Sequence, residues 1–336
     1  MLKRSITTPR TTLSRRAVMG VAGAALVIAL GTVSTQAAEK VIYLFPAPPI
    51  LPAFGPIQLA KGKGYYKAEG LDVTFQRAKG GVDVAKQVGA GNAHLGGGLA
   101  DGPIIVRAQG VPVRSVAAFG GRGFMQLVAR ADSGIKSPKD LKGKTISVMS
   151  YQDTTFYALR GMLASQGLTL KDVKAIAVGP RNVPTMVIQN KAVACACVPD
   201  WIPPFHRAKV KVNIIKSEQY FPHMAQAILA SDAIIKKNPK MVAAFIRASL
   251  KGMKDIMDNP KAAAADFAKF VPPWKGKEGY ITGVFTYYAQ LVYPSDKKMG
   301  EINVARLTKL RDFYVAQGIV RKKVPVKDLY TNEFIK

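Results

Sequence analysis

Two side chains that suit ligand binding lie directly after short apolar runs of the chain. Arg122 lies in the glycine-rich segment Gly120–Gly123, where a guanidinium suits a carboxylate, sulfonate or phosphate because it forms two parallel hydrogen bonds. Trp201 follows the apolar run that ends at Val198, and an indole there suits ring stacking or an apolar wall. The sequence has no Ser-His-Asp order, no paired metal ligands and no phosphate loop. We therefore expect binding without catalysis, metal or cofactor.

The predicted strand ends supply the other candidate contacts. Ligands of open α/β sheets bind at the carboxyl ends of the strands, and this rule selects the loops at 46–54, 97–102, 120–123, 150–155 and 199–201. Prolines stiffen the first loop, and glycines in the second let backbone amides approach a ligand. The candidate ligand-binding residues are Pro49, Phe54, Gly98, Asp101, Arg122, Gln152, Thr154, Asp200 and Trp201.

Some of these candidates have an alternative role. Asp101 precedes a predicted helix and is placed to cap it, and Asp153 or Thr154 is placed to cap the helix that follows them. For Arg122 the alternative is an exposed arginine in a turn. The acids Asp101 and Asp200 beside Arg122 argue against a simple inorganic anion. They leave room for a ligand that carries donors, such as an aminopyrimidine or an amino-sulfonate.

The two cysteines of the chain, Cys195 and Cys197, lie in one predicted strand. Alternate residues of a strand project to the same face, but an extended backbone holds them apart, so a strain-free disulfide between them is doubtful. Two small buried apolar side chains are the expectation. The spacing of cysteines and histidines fits no zinc site.

The elements that must position these residues alternate between strand and helix. In the first unit, apolar runs predict strands at 41–45, 71–75, 93–98 and 113–119, with helices at 54–61, 83–90 and 103–109. A second unit follows the run at 127–130, with strands at 145–149, 173–178 and 192–198 and helices at 154–166 and 185–190. The run at 225–230 predicts a strand that returns to the first unit, and the last third is helical. This order predicts an α/β fold.

The N-terminus has the order of an export signal. A basic segment ends in Arg15-Arg16, an uncharged run covers 17–33, and small residues lead to Ala37-Ala38. The arginine pair resembles a twin-arginine signal. An uncleaved membrane anchor is the alternative, but the run is short for a membrane span. We expect a signal peptide at 1–38 and a periplasmic protein.

The chain is strongly basic, with a formal net charge of +28. Such a surplus favours association with anions. The charges are spread along the chain and accompany no nucleic-acid motif. We therefore expect a generally basic surface and no nucleic-acid partner.

Several motifs, in order along the chain, resemble the nitrate, sulfonate, taurine and thiamine-pyrimidine binding proteins of ABC transporters. Gly64–Val73 resembles the signature GYF-x-x-EGLDV of that family. His94 stands where the family often has Asp, and the loop after the first strand lacks the family's histidine. The other matching segments are Gly91–Gly96, Ala108–Val113, Asp132–Lys144, Asn238-Pro239 with Ala244-Phe245, Asn259–Ala263, Gly318-Ile319 and Asp328–Tyr330.

This resemblance implies a two-lobe periplasmic-binding-protein fold with two crossovers, known as type II, with the C-terminal helices packed on lobe 1. The implied divisions are 39–130 for lobe 1, 131–226 for lobe 2, and 227–336 for the return to lobe 1 and the C-terminal helices. The hinge is expected near Arg130-Ala131 and Ala227–Ala230. Members of the family close around a ligand. They do no chemistry and pass the ligand to a membrane permease that a cytoplasmic ATPase drives.

The resemblance implies a monomer that captures a small anionic organic molecule, either sulfonate-, taurine- or nitrate-like or pyrimidine-like. Two alternatives remain open. A related branch resembles the cytosolic pyrimidine synthase of thiamine synthesis, which has a cysteine-rich segment on the equivalent strand; here only Ala194–Cys197 remains, and the export signal argues against that enzyme. A ligand-sensing partner of a membrane receptor would share the same fold.

Overall fold

The computed structural model describes residues 37–336; the twin-arginine segment and most of the expected signal peptide lie outside the described residues. The strands are β1 Glu39–Phe45, β2 Leu71–Arg77, β3 Leu95–Leu99, β4 Val113–Ala118, β5 Gln126–Arg130, β6 Thr145–Val148, β7 Lys174–Ala177, β8 Ala194–Cys197, β9 Val212–Lys216 and β10 Gln226–Ser231. The helices are α1 Gly55–Gly62, α2 Tyr65–Ala68, α3 Gly81–Gly89, α4 Gly102–Arg107, α5 Thr154–Ala164, α6 Asn182–Ile188, α7 Pro203–Arg207, α8 Asp232–Lys237, α9 Pro239–Asp258, α10 Pro260–Phe270, α11 Glu278–Tyr287 and α12 Val304–Ala316. Within 37–336, none of the helices has the length and apolarity that a membrane crossing requires.

The strands form two five-stranded sheets. The first has the order β2-β1-β3-β10-β4 and the second the order β7-β6-β8-β5-β9. Each sheet contains one strand that runs antiparallel to both of its neighbours. This strand is β10 in the first sheet and β5 in the second, and each begins just after the chain has passed from the other sheet. We call each sheet with its covering helices a lobe. The prediction of a two-lobe α/β fold with two crossovers is confirmed.

The crossings lie at other residues than the sequence suggested. Strand β5 was expected at the end of the first lobe, but it pairs with β8 and β9 of the second lobe. The chain therefore crosses between Ala118 and Gln126, and it returns between Lys216 and Gln226. The expected hinge at Ala227–Ala230 lies inside β10, which is paired on both sides. The apolar pattern of a short strand indicates that the strand is buried, but it does not indicate to which sheet the strand belongs.

The C-terminal segment packs on the first lobe. The apolar face predicted for α9 is buried, and its Phe245 stacks between Tyr43 and Tyr66, with ring centroids 5.2 and 4.7 Å away. Each such fully buried side chain stabilises the fold by about 1.5–3 kcal/mol. Gly252 lets α9 approach α1, because a Cβ there would lie 2.2 Å from the carbonyl oxygen of Pro56.

The expectation for the cysteines is wrong, because Cys195 and Cys197 form a disulfide bond. Their Cα atoms are 5.5 Å apart, within the range that a disulfide spans. Two residues of a fully extended strand advance about 6.6 Å. The backbone is therefore contracted at this end of β8, where the chain passes into the 3-10 turn Pro199–Trp201. Both sulfur-bearing residues are buried.

The disulfide predicts how many free thiols the protein contains before and after reduction. We expect denatured, unreduced protein to contain no titratable thiol, and reduction to release both. Replacing the pair by alanine, with Cys195→Ala and Cys197→Ala, should lower the free energy of unfolding by less than about 2 kcal/mol, because the bond closes a very short loop. Thiol titration and urea unfolding measure the two effects. Free thiol in the unreduced protein would contradict the pairing.

Candidate ligand-binding cleft

The main candidate site lies between the lobes, at the carboxyl ends of their central strands. In this arrangement of the lobes the cavity has a volume of about 50 Å³, which is smaller than most small-molecule sites, so the lobes must part to admit a ligand. The first lobe contributes residues after β1 and in β3, the second lobe residues after β6 and β8, and the crossing segments close one side. The lining residues that the argument uses are Tyr43, Phe54, Gly97, Gly98, Phe119, Phe124, Met149, Asp153, Thr154, Thr155, Trp201 and Gln226.

The walls of this cleft are mainly apolar, and both lobes supply aromatic rings. Phe54 comes from the first lobe, Trp201 from the second, and each is only 6% exposed. Phe119 and Phe124 add rings from the first crossing. Among residues 37–336, no Lys, Arg or His lines the void. The cleft therefore suits a flat apolar or aromatic molecule better than an anion.

The polar side chains of the cleft are few. Asp153 caps α5, with Oδ1 accepting from the Thr155 amide at 2.9 Å. Its Oδ2 accepts the amide of Gly81 in the first lobe at 3.1 Å, and burial raises the pKa of Asp153. The hydroxyl of Thr155 is buried and makes no hydrogen bond of good geometry with the described residues, although it lies close enough to the Asp153 carboxyl group to lower its pKa. Thr155 is therefore a group that a ligand can satisfy.

The structure brings four of the predicted contacts together. Phe54, Gly98, Thr154 and Trp201 line the cleft, and the rule that placed ligands at strand ends led to all four. Glycine is needed beside them, because a Cβ at Gly97 would lie 2.5 Å from the hydroxyl of Tyr43.

Two of the other predicted contacts lie near the cleft without lining it. Pro49 holds the loop after β1 through its carbonyl, which accepts from Gln58 Nε2 at 2.9 Å. Gln152 is exposed, and its carbonyl accepts the amide of Val82 across the lobes at 3.0 Å.

Arg122 also lies outside the cleft, in a separate surface pocket beside the first turns of α12. Arg122 is therefore not among the predicted contacts that the structure brings together in the cleft. The cause lies in Gly120, whose φ of 114° turns the chain and lets it pack on Val292, where a Cβ would lie 2.2 Å from the carbonyl oxygen. That turn directs Arg122 towards α12.

Asp101 and Asp200 are fully buried and engaged with the protein. Asp101 makes no capping bond with its side chain; its Oδ2 accepts from the Tyr314 hydroxyl at 2.7 Å, and burial raises its pKa to about 7. Asp200 accepts the amide of Ala53 at 2.6 Å and the hydroxyl of Tyr288 at 3.1 Å. Burial raises the pKa of Asp200 to about 6. Neither acid lines the cleft, which corrects the prediction that they meet the ligand.

Sequence reasoning missed Tyr43, Thr155 and Gln226. Thr155 lay in a selected loop, but only its neighbours were chosen. Gln226 begins β10, and a polar residue at the start of an apolar strand run is the signal that could have found it. Tyr43 lies inside β1 rather than after it, so the strand-end rule excludes it.

The chain has relatives among known proteins. Residues 51–263 match the family model described as NMT1/THI5 like. The chain belongs to this family. It is 27% identical over 299 residues to the riboflavin-binding protein RibY of Chloroflexus aurantiacus, covering 84% of this chain and 82% of RibY. It is 25% identical over 235 residues to the 4-amino-5-hydroxymethyl-2-methylpyrimidine phosphate synthase of Aspergillus parasiticus, covering 66% and 68% of the two chains.

Solved structures show the fold of this NMT1/THI5-like protein. The alkanesulfonate-binding protein SsuA of Xanthomonas axonopodis pv. citri, bound to MOPS, superposes with a TM-score of 0.69 at 16% identity, covering 88% of this chain and 99% of SsuA. The periplasmic nitrate-binding protein NrtA of Synechocystis PCC 6803 gives 0.64 at 14% identity, covering 88% and 87%. The predicted family and the periplasmic-binding-protein fold are confirmed.

The unpartnered hydroxyl of Thr155 predicts an unusual effect on stability. We expect Thr155→Val to raise the free energy of unfolding of the ligand-free protein by about 1 kcal/mol, because a buried polar group without a partner costs about 1–3 kcal/mol. The matched control is Thr185→Val, a half-buried position on α6, where the threonine hydroxyl donates to the Arg181 carbonyl at 3.2 Å. Urea unfolding measures both variants, and a clear loss of stability in Thr155→Val would refute the assignment.

Proposed function

We propose that this protein captures a small, uncharged, flat heteroaromatic molecule between its lobes and delivers it to an ABC importer. The observation that carries the proposal is the lining of the cleft: aromatic rings from both lobes, no cationic side chain among the described residues, and neutral polar groups between them. The proposal keeps the pyrimidine-like alternative of the sequence analysis and departs from its anionic one.

Desolvation supports the choice of an uncharged ligand. A sulfonate or carboxylate that leaves water for an apolar cleft needs a cation or several donors to offset the loss of hydration. The cleft instead carries an acid, Asp153, whose pKa burial raises and which gives an anion no attraction. Tyr43, Thr155 and Gln226 instead offer neutral groups that suit ring nitrogens, amino groups and carbonyls.

The names of the sequence relatives support the same ligand class, whereas the solved structures, at 14–16% identity, are named for a sulfonate and for nitrate and share the fold alone. RibY is named for riboflavin, and the synthases are named for an aminopyrimidine phosphate. Both of these compounds contain a flat heteroaromatic ring. The synthases raise the possibility of an enzyme. Against it, no His, Cys, Lys or Arg lines the cleft within residues 37–336, and both cysteines of β8 are joined in a disulfide. We therefore propose binding alone.

Three probes test the ligand class by calorimetric titration. We expect riboflavin or 4-amino-5-hydroxymethyl-2-methylpyrimidine to bind and the anionic sulfonate MOPS to bind weakly or not at all. Trp201→Ala should weaken the bound heteroaromatic at least about tenfold, since burying a large ring contributes roughly 1.5–3 kcal/mol. Arg122→Ala is the control and should bind like the parent. Tight binding of MOPS that depends on Arg122 would contradict the proposal.

We also propose export to the periplasm. The order of basic, apolar and small residues before Ala37-Ala38 supports it, and a structural disulfide suits an oxidising compartment. N-terminal sequencing of periplasmic protein should place the cleavage near these alanines, and lysine at both Arg15 and Arg16 should block export through the twin-arginine route. An intact chain in the membrane fraction would show that the segment is an anchor.

A further inference from the structure

Asp200 belongs to the second lobe but has its hydrogen-bond partners in the first. It lies in the 3-10 turn Pro199–Trp201 after β8. Its Oδ1 accepts the amide of Ala53, in the loop after β1, and its Oδ2 accepts the hydroxyl of Tyr288, directly after α11. The hydroxyl of Tyr280, on α11, donates to the backbone carbonyl of Asp200 at 2.5 Å. We call Ala53, Tyr280 and Tyr288 the socket of Asp200.

The socket exists only while the lobes are together. All three of its groups sit on the first lobe or on the C-terminal helices packed against it, so separation of the lobes removes every one of these bonds and exposes the carboxyl group to water. Asp200 is 3% exposed here. It does not line the cleft, so a ligand there does not compete for its hydrogen bonds.

We propose that Asp200 sets the balance between open and closed lobes: its carboxyl group docks in the socket when the cleft closes, and it does so most favourably when it is uncharged. The proposal rests on the proposed function, in which the lobes close around a ligand. It gives Asp200 a positioning role instead of the ligand contact that the sequence suggested.

The absence of a positive partner supports this role. No Lys, Arg or His lies within salt-bridge distance of Asp200 in the described part of the chain. The socket offers one amide and one hydroxyl, which an uncharged carboxyl group also satisfies, with its C=O accepting from Ala53 and its O–H donating to Tyr288. An ionised carboxylate there loses hydration that no cation restores.

The direction of the pH effect follows. Burial raises the pKa of Asp200 from 3.8 to about 6 in this closed arrangement, and an exposed aspartate in the open form returns to its ordinary value. The closed form therefore binds the proton more tightly, so closure strengthens as pH falls from about 6 towards 3.8 and weakens as pH rises through about 6.

The groups that face Asp200 do not titrate in this window. They are Tyr280, Tyr288 and Tyr293, whose pKa values burial raises above 10, so they stay neutral. Arg207 also lies near this group, since its charge lowers the pKa of Tyr280. Asp153 also bridges the lobes, and its raised pKa adds to the effect in the same direction.

The test measures closure without a ligand. Spin labels at Asp72→Cys on β2 and Lys174→Cys on β7, both exposed edge-strand positions, report the distance between the lobes. The closed-to-open ratio of the labelled parent should be roughly tenfold higher at pH 5 than at pH 8. Asp200→Asn, which mimics the uncharged acid, should be at least as closed at pH 8 as the parent is at pH 5, with a smaller pH response.

Two further variants keep the test sharp. Asp200→Ala leaves the amide of Ala53 without an acceptor and should open the lobes at both pH values, with circular dichroism confirming its fold. Asp101→Asn is the matched control, because Asp101 is equally buried but bonds to Tyr314 and not to the socket; it should keep the parent's response. The proposal is overturned if Asp200→Asn opens the lobes or if Asp101→Asn changes the closed-to-open ratio as much as Asp200→Asn does. It is also overturned if the distance between the labels changes neither with pH nor in Asp200→Asn.

Titration with riboflavin and the pyrimidine separates this proposal from the ligand class. If the labels respond as expected but neither probe binds, the role of Asp200 stands and the ligand class fails. If a probe binds, its dissociation constant should be roughly tenfold lower at pH 5 than at pH 8 in the parent and should lose most of that change in Asp200→Asn. Tight binding with an unchanged pH profile in Asp200→Asn would overturn the role of Asp200 alone.

Discussion

Glu218 ties together the two segments in which the chain passes between its sheets. It lies on the returning segment, accepts the amide of Gly123 on the outgoing one, and pairs with Arg306 in the first turns of α12 at 2.6 Å. A side chain at position 123 has no room, since a Cβ would lie 2.8 Å from both Glu218 and His223. The crossings are thus fixed side by side and anchored to one helix. In this arrangement the carboxyl ends of the central strands of the two sheets face each other across the cleft.

The cleft inherits its chemistry from that arrangement. Facing sheets present the carboxyl ends of β1 and β3 to those of β6 and β8, so each lobe contributes an aromatic ring and a few uncharged polar side chains. The polar side chains near these ends are used mostly between the lobes. Asp153 holds Gly81, and Asp200 holds Ala53. Closing the cleft therefore satisfies buried acids with backbone amides of the opposite lobe, and the ligand meets the neutral groups that remain.

Sequence patterns were sufficient to predict the order of strands and helices but not the direction in which individual side chains point. Alternating elements, the returning strand β10 and the helical tail follow from apolar periodicity, and the strand-end rule led to Phe54, Gly98, Thr154 and Trp201. The same rule misplaced Arg122 and Asp200, because it gives a position along a strand but not where the side chain points after the next turn. Gly120 redirects Arg122 through a backbone conformation that depends on Val292, a residue far along the chain. The sheet to which β5 belongs is likewise decided by partners that come later in the sequence.

The contrast between surface and cleft explains why the net charge of the chain does not predict its ligand. A formal charge of +28 attracts anions to the surface, but exposed charges act through water and salt, which screen them within about 10 Å. Capture is decided inside the cleft, where no cation lines the void among the described residues and where Asp153 is the acid at its edge. An anion that the surface attracts would have to shed its hydration beside an acid that is itself hard to ionise there, since burial already raises its pKa. The surface and the cleft therefore select for opposite properties, and only the cleft bears on the identity of the ligand.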